Sequence, residues 1–197
     1  MHGPCYHVHV MMPDPAELKI LMYPEPVLRD KSHPVDPADP HVQAIAARMI
    51  KIMFEAEGAG LAAPQVGLPW RLFVTMNPDI EDAGLAWINP TLTFAEATPL
   101  QEDVEGCLSL PGYQGYIMRA ERVWARAVGL DGKTIKFQDV DDLLAQALEH
   151  EADHLNGVLY VDHLKTQDDL FEVTPGDEEV DEGAPRAEES ESAPTES

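Results

Sequence analysis

The chain has 197 residues, enough for one domain with its own core and too few for two without an evident linker. Thirteen Lys and Arg against 36 Asp and Glu give a formal net charge of −23, a surface that would repel a polyanion and argues against direct nucleic-acid binding. Two cysteines do not make a disulfide framework, and no stretch has the length of a membrane span or the basic start of a signal peptide, so a cytoplasmic protein without membrane attachment is expected.

In chain order, residues 1–19 read as an N-terminal extension. Cys5, His7 and His9 alternate there, and a mobile terminus or a short added strand explains them more economically than a metal clip. Tyr23 to Pro40, rich in proline and aspartate, reads as an irregular lead-in that wraps the surface. A helix is expected from His41 to Glu57, where Val42, Ile45, Ala46, Met49, Ile50, Met53 and Phe54 recur at three and four, with Gly58 ending it. Strand-like runs follow at Arg71 to Thr75, Leu85 to Ile88 and Thr91 to Ala95. Arg122 to Leu130 then pairs with Thr134 to Gln138 across the hairpin step Asp131-Gly132. From Asp141 the pattern is helical again, with Leu143, Leu144, Ala147, Leu148 and Leu155 on one side and Asn156-Gly157 as a stop.

The expected fold is α+β: mainly antiparallel strands packed around a C-terminal helix, with an N-terminal helix. Residues 167–197 read as a disordered acidic tail. From Asp168 onward it holds twelve acidic residues against the single basic Arg186. It also contains Pro175, Pro185 and Pro194 and almost nothing apolar after Phe171, too little to offset the entropy of ordering. A solvating spacer and a docking segment for a basic partner both fit that composition.

The run His150-Glu151-Ala152-Asp153-His154 lies on the second predicted helix. Residues four apart there are about 6 Å apart along the axis and about 40° around it, so two imidazoles can face one ion. Glu151, about 100° round from His150, would flank that ion as a non-ligand able to exchange protons. A polar surface turn is the plainer alternative. Cys107, in Glu105-Gly106-Cys107-Leu108-Ser109, is either a small buried hydrophobe or a thiolate donor. The glycine before it and Pro111-Gly112 after it suit a segment shaped to present a side chain and amide hydrogens. Two nitrogens and one sulfur would leave a fourth position open. In Gly58-Ala59-Gly60-Leu61-Ala62-Ala63-Pro64-Gln65 the small residues permit close backbone approach and Gln65 offers a neutral amide donor; a tight helix-to-strand connection would need no more.

Taken together and in this order, GAGLAAPQ (Gly58 to Gln65), EGCLS (Glu105 to Ser109) and HEADH (His150 to His154) strongly resemble the three motifs of peptide deformylases. The similarity extends from about Ile20 to about Leu164 and implies a catalytic domain over residues 20–166. It implies Cys107, His150 and His154 as metal ligands, Fe²⁺ as the common ion with Zn²⁺, Ni²⁺ or Co²⁺ able to replace it, and Glu151 as the acid–base residue. The implied reaction is hydrolytic removal of the formyl group from the initiator methionine of an N-formylmethionyl peptide or nascent chain. Gln65 and the Leu108 backbone N–H would then stabilise the developing oxyanion, Gly60 would offer a backbone contact, and Ala147 and Leu148 would line the side-chain pocket.

Three features depart from the family pattern. Gln114 stands where many members carry a basic residue, Glu149 stands where glutamine is frequent, and an acidic tail replaces the basic C-terminal element by which some relatives dock on the ribosome. Two rival readings carry less. A zinc endopeptidase would draw a third ligand from downstream, where only Asp162 and His163 are candidates. A catalytically silent, deformylase-like interaction protein would be expected to have lost the base, yet Glu151 is present. Oligomeric state is left open by the sequence.

Overall fold

The computed structural model describes residues 13–94, 100–140 and 142–173. The Cys5/His7/His9 segment and the acids beyond Val173 lie outside the described residues, as does Ala95. The fold is α+β, with two α-helices and eight strands in two antiparallel sheets among the described residues. Helix α1 is Pro40–Glu55 and α2 is Asp142–His154. Strands β1 (Gly60–Ala62), β2 (Leu72–Met76), β3 (Gly84–Phe94), β6 (Val123–Val128) and β7 (Thr134–Val140) form one sheet in the order β1-β2-β3-β6-β7. Strands β4 (Leu100–Cys107), β5 (Leu110–Ala120) and β8 (Leu170–Glu172) form the other.

The five-stranded sheet separates two cores because its central strands are apolar on both faces. Leu61, Leu72, Val74, Ala86 and Ile88 pack with Val42, Ile45, Met49 and Met53 of α1. Their neighbours Ala62, Phe73 and Trp87 point the other way, to Ala145, Leu148 and Leu155 on the side of α2. Side chains alternate across a strand, so the middle of β2, Leu72-Phe73-Val74, is apolar at every position to satisfy both helices. Trp87 is fully buried and still satisfies its ring N–H, which donates to Thr75 Oγ1 at 2.9 Å.

Local chemistry sets the element ends. Asp39 caps α1 by accepting from the His41 N–H at 2.8 Å, and Pro40, which has no N–H to leave unpaired, fills the first helical position. The helix stops at Glu55, two residues earlier than expected, because Glu57 takes a left-handed φ of 56° and the Gly58 N–H turns back to the Met53 carbonyl. Leu85 to Ile88 and Thr91 to Phe94 are one strand with a register shift, not two. Asn89 kinks it at φ 51° and holds both backbone polar groups of Val35 with its side-chain amide.

Helix α2 ends as expected at Asn156-Gly157. Gly157 has φ 74°, and the Val158 N–H closes onto the Asp153 carbonyl. A β-carbon at Gly157 would also overlap the Arg29 carbonyl. Gly157→Ala is therefore expected to lose about 1–2 kcal/mol from the left-handed backbone alone and more from the overlap with Arg29, read as a lower midpoint in urea.

Both expected domain boundaries move outward. Leu18 is 9% exposed and packs into the α1 core, so the extension gives way to the folded domain before residue 19. At the other end, Leu170–Glu172 pairs with Tyr113–Gly115, Phe171 packs on the Tyr116 ring, and Asp169 accepts from the Thr166 N–H and hydroxyl. The charge of the tail conceals a short strand anchored by Leu170 and Phe171. Among the described residues no helix is long and apolar enough to cross a membrane.

Candidate metal centre and active-site cleft

Helix α2 lies with its first turns along a cavity of about 740 Å³ and its last turn in the core. His150, Glu151 and His154 are 9%, 3% and 1% exposed, so these side chains of HEADH are buried and do not form a polar surface turn. The two imidazoles stand 5.1 Å apart between centroids. Cys107 arrives from the other sheet. It ends β4 where the pairing register with β5 shifts, so the turn through Leu108 and Ser109 delivers the thiol to α2.

One donor atom from each of Cys107, His150 and His154 lies within 4.8 Å of the others, and Cys107 Sγ is 3.4 Å from His154 Nε2. Typical zinc–sulfur and zinc–nitrogen bonds at a tetrahedral angle put the two donors about 3.5 Å apart, so this spacing fits a shared cation. His150 Nδ1 is 2.8 Å from Glu105 Oε2. A carboxylate only accepts, so Nδ1 carries the hydrogen and Nε2 keeps its lone pair for an ion. Burial holds His154 well below the usual imidazole range, in the neutral form that ligation requires. For His150 burial also opposes charge, but hydrogen bonds to Cys107 and Glu105 outweigh it and raise its affinity for a proton, which a bound cation would displace.

Glu151 is placed beside the donor group. Its Oε2 is buried without a hydrogen-bond partner among the described residues, and burial raises its pKa to about 7. Room for the carboxylate depends on Gly60, since a β-carbon there would overlap Glu151. Gln65 is 1% exposed in the 3-10 turn Ala63–Val66. Its Oε1 accepts from the Ala62 N–H at 2.7 Å, which fixes which end of the amide is which. Its Nε2 therefore points to Cys107 Sγ (3.5 Å) and Ser109 Oγ (3.3 Å).

Gly60, Gln65, Leu108, Ala147, His150 and Glu151 all line the cavity. Leu148 does not. It is fully buried in the core with Phe73 and Trp87, because neighbouring helix positions are about 100° apart and only Ala147 faces the cleft. The wall beyond Ala147 is made by Gln146 and by Leu143, which the helical pattern assigned to the core and which is 57% exposed at the cleft. Gln114 lines the cleft as well. Glu149 faces away from it, accepting from the Ala120 N–H, with its pKa pushed up to about 7 by burial. Asp162 and His163 are engaged elsewhere, with Arg29 and Asp153, and do not join the donor group.

Two residues of the site were given no role at the level of sequence. Arg119 donates to both oxygens of Glu105, at 2.7 and 3.0 Å, and to Asp153 at 2.7 Å. Hydrogen bonds from His150 and Arg119 overcome burial and hold the Glu105 carboxyl below its usual range. The signal for Arg119 was an inward position on a strand, but β5, with Pro111, Gly112 and Gly115, carries no clear alternation to reveal it.

An α+β fold in which a sulfur and two nitrogens converge at the edge of a cleft, with the Glu151 carboxylate alongside, has the layout of a metal-dependent hydrolase. The sequence profile of the family described as Polypeptide deformylase matches residues 17–169. A peptide deformylase of Dehalococcoides mccartyi strain CBDB1 is 44% identical over 164 residues, covering 83% of this chain and 96% of that protein. Among solved structures, a peptide deformylase from Legionella pneumophila superposes with a TM-score of 0.69 at 37% identity, covering 75% of this chain and 86% of that one. One from Synechococcus elongatus, in complex with actinonin, gives 0.70 at 35% identity over 78% and 81%. The chain belongs to the peptide deformylase family.

Proposed function

We propose that this protein hydrolyses the formyl amide of N-formylmethionyl peptides or nascent chains, releasing formate and a free amino terminus. The observation that carries this reading is the convergence of Cys107, His150 and His154 beside the Glu151 carboxylate, whose buried Oε2 has no partner among the described residues. Family membership supplies the substrate.

A divalent ion in this donor set would act as a Lewis acid, activating water near neutral pH and polarising the formyl carbonyl. The protein does the rest. Glu151 accepts a proton from the attacking water and passes it to the departing amine as the carbon–nitrogen bond breaks. Gln65 Nε2, and by family analogy the Leu108 N–H, donate to the carbonyl oxygen as it gains charge. Gly60 contributes backbone to substrate binding while leaving Glu151 its space. Ala147, with Leu143 and Gln146, forms a side-chain wall in which the small Ala147 leaves room for an unbranched methionine. We assign Fe²⁺ as the resident ion, with Zn²⁺, Ni²⁺ or Co²⁺ as substitutes, and a cytoplasmic location without direct nucleic-acid or membrane binding.

The test is formate release from a formyl-Met peptide. A strong chelator is expected to abolish activity and anaerobic Fe²⁺ or Ni²⁺ to restore it; activity indifferent to both would remove the metal from the reading. Gln65→Ala is expected to lower kcat on the order of 10²–10³-fold at unchanged metal content, the usual cost of one oxyanion donor. An unaffected kcat would take Gln65 out of the reaction.

A further inference from the structure

Behind the donor group, side chains run from the protein surface past α2 to Glu105 and His150 at the cleft. Five side chains form an unbroken hydrogen-bonded series from the surface to a ligand. His163 Nε2 lies 2.8 Å from Asp153 Oδ2, and Arg119 Nη1 donates to that same oxygen at 2.7 Å. Arg119 Nε and Nη2 hold the two oxygens of Glu105, and Glu105 Oε2 also takes the His150 Nδ1 hydrogen. Side-chain exposure falls along the series from 36% at His163 and 23% at Asp153 to 4% at Arg119 and 3% at Glu105.

We propose that Asp153 and His163 are positioning residues that set the orientation of His150 toward its cation through Arg119 and Glu105. The proposal rests on the metal-centre reading. A guanidinium is planar and rigid, so with Nε and Nη2 both committed to Glu105, any swing of Nη1 turns the Glu105 carboxylate with it. Glu105 Oε2 is the atom that holds the His150 ring, so that turn moves a donor lone pair. Asp153 prevents the swing only if its own oxygen is stationary.

His163 supplies that restraint from a separate anchored element, the 3-10 turn Tyr160–His163. There Asp162 is tied to Arg29 and accepts from the Leu159 N–H at 2.9 Å. A simple cross-link between β5 and α2 would need Arg119 and Asp153 alone. The second donor on the same oxygen is what a positioning series adds.

The experiment loads the full chain with Co²⁺, whose thiolate and ligand-field absorption reports donor geometry, and follows release into EDTA. Loss of a direct outer partner of a ligand typically costs 10–100-fold in metal affinity. One step further out, Asp153→Asn is expected to speed release by about tenfold and His163→Ala by about threefold to tenfold, each with an altered cobalt spectrum, a lower kcat and an unchanged KM. His163→Gln places an amide N–H near Nε2 and is expected to restore the parent rate. The thermal midpoint of the metal-free protein should change little for the His163 variants. If the parent binds no Co²⁺, the metal-centre reading fails and this proposal with it. If the parent binds one equivalent but His163→Ala releases it at the parent rate, or His163→Gln is as impaired as His163→Ala, the proposal alone is overturned.

Discussion

Glu151→Gln is expected to leave a folded chain with a full complement of metal and to lower formate release by about 10²–10⁴-fold, the range for losing a positioned general acid–base group. Glutamine keeps the size of the side chain, so the space beside Gly60 stays filled and the donor atoms of His150 and His154 are undisturbed. What is lost is the capacity to hold a transferable proton. The native environment is tuned for that task, since burial raises Glu151 to about 7 while its Oε2 has no partner among the described residues. Measuring metal content beside kcat decides the matter. A loaded but inactive variant supports the base, and a loaded variant with parental activity removes it.

Arg119→Ala is expected to have the largest effect on stability, about 3–5 kcal/mol, because it strands the buried Glu105 carboxylate, whose side chain is 3% exposed. For a domain of this size that corresponds to a fall in Tm of roughly 6–20 °C. Replacing both partners, Arg119→Met with Glu105→Gln, should recover part of the loss, since the buried Glu105 charge goes with its partner and the more exposed Asp153 keeps His163. The pH dependence has a definite sign. Hydrogen bonds from His150 and Arg119 hold Glu105 below its ordinary value of 4.5 in spite of burial. The stability this contributes is present above the ordinary value and is lost as pH falls through the depressed one. The difference between parent and Arg119→Ala should therefore narrow in acid. Urea midpoints at neutral and acidic pH test this; a gap that stays constant or widens would contradict the role given to the pair.

The helices and strands β2, β3, β6 and β7 of the five-stranded sheet were legible because burial there is periodic, whereas β1, Gly60–Ala62, was read only as a connection. Val42, Ile45, Met49 and Met53 repeat as a helix must, and β2 carries the apolar run Leu72-Phe73-Val74. The three-stranded sheet was not legible. β4 carries Glu102, Asp103 and Glu105, and β5 carries Pro111, Gly112 and Gly115, residues whose local preferences oppose a strand; they pair because the turn through Leu108 and Ser109 joins them. Of the candidate site, the grouping of Cys107, His150 and His154 with Glu151 at hand could be read from spacing and resemblance. Glu105 and Arg119 find each other across 14 residues of strand that gave no periodic signal. Leu148 was misplaced for the opposite reason, since a helical stripe marks burial without saying whether a residue meets a cleft or the core behind it.

The three donors belong to different layers: Cys107 closes a hairpin of the small sheet, whereas His150 and His154 ride on the helix seated against the large one. A cation gripped by all three would be a rivet between parts of the chain already joined by the Glu105–His150, Arg119–Asp153 and Ala120–Glu149 hydrogen bonds. Occupancy and folding are then thermodynamically linked, and free ion at a hundredfold excess over its dissociation constant would add about 2.7 kcal/mol to the native state. Starvation for the ion would therefore deplete the folded protein as well as silence it.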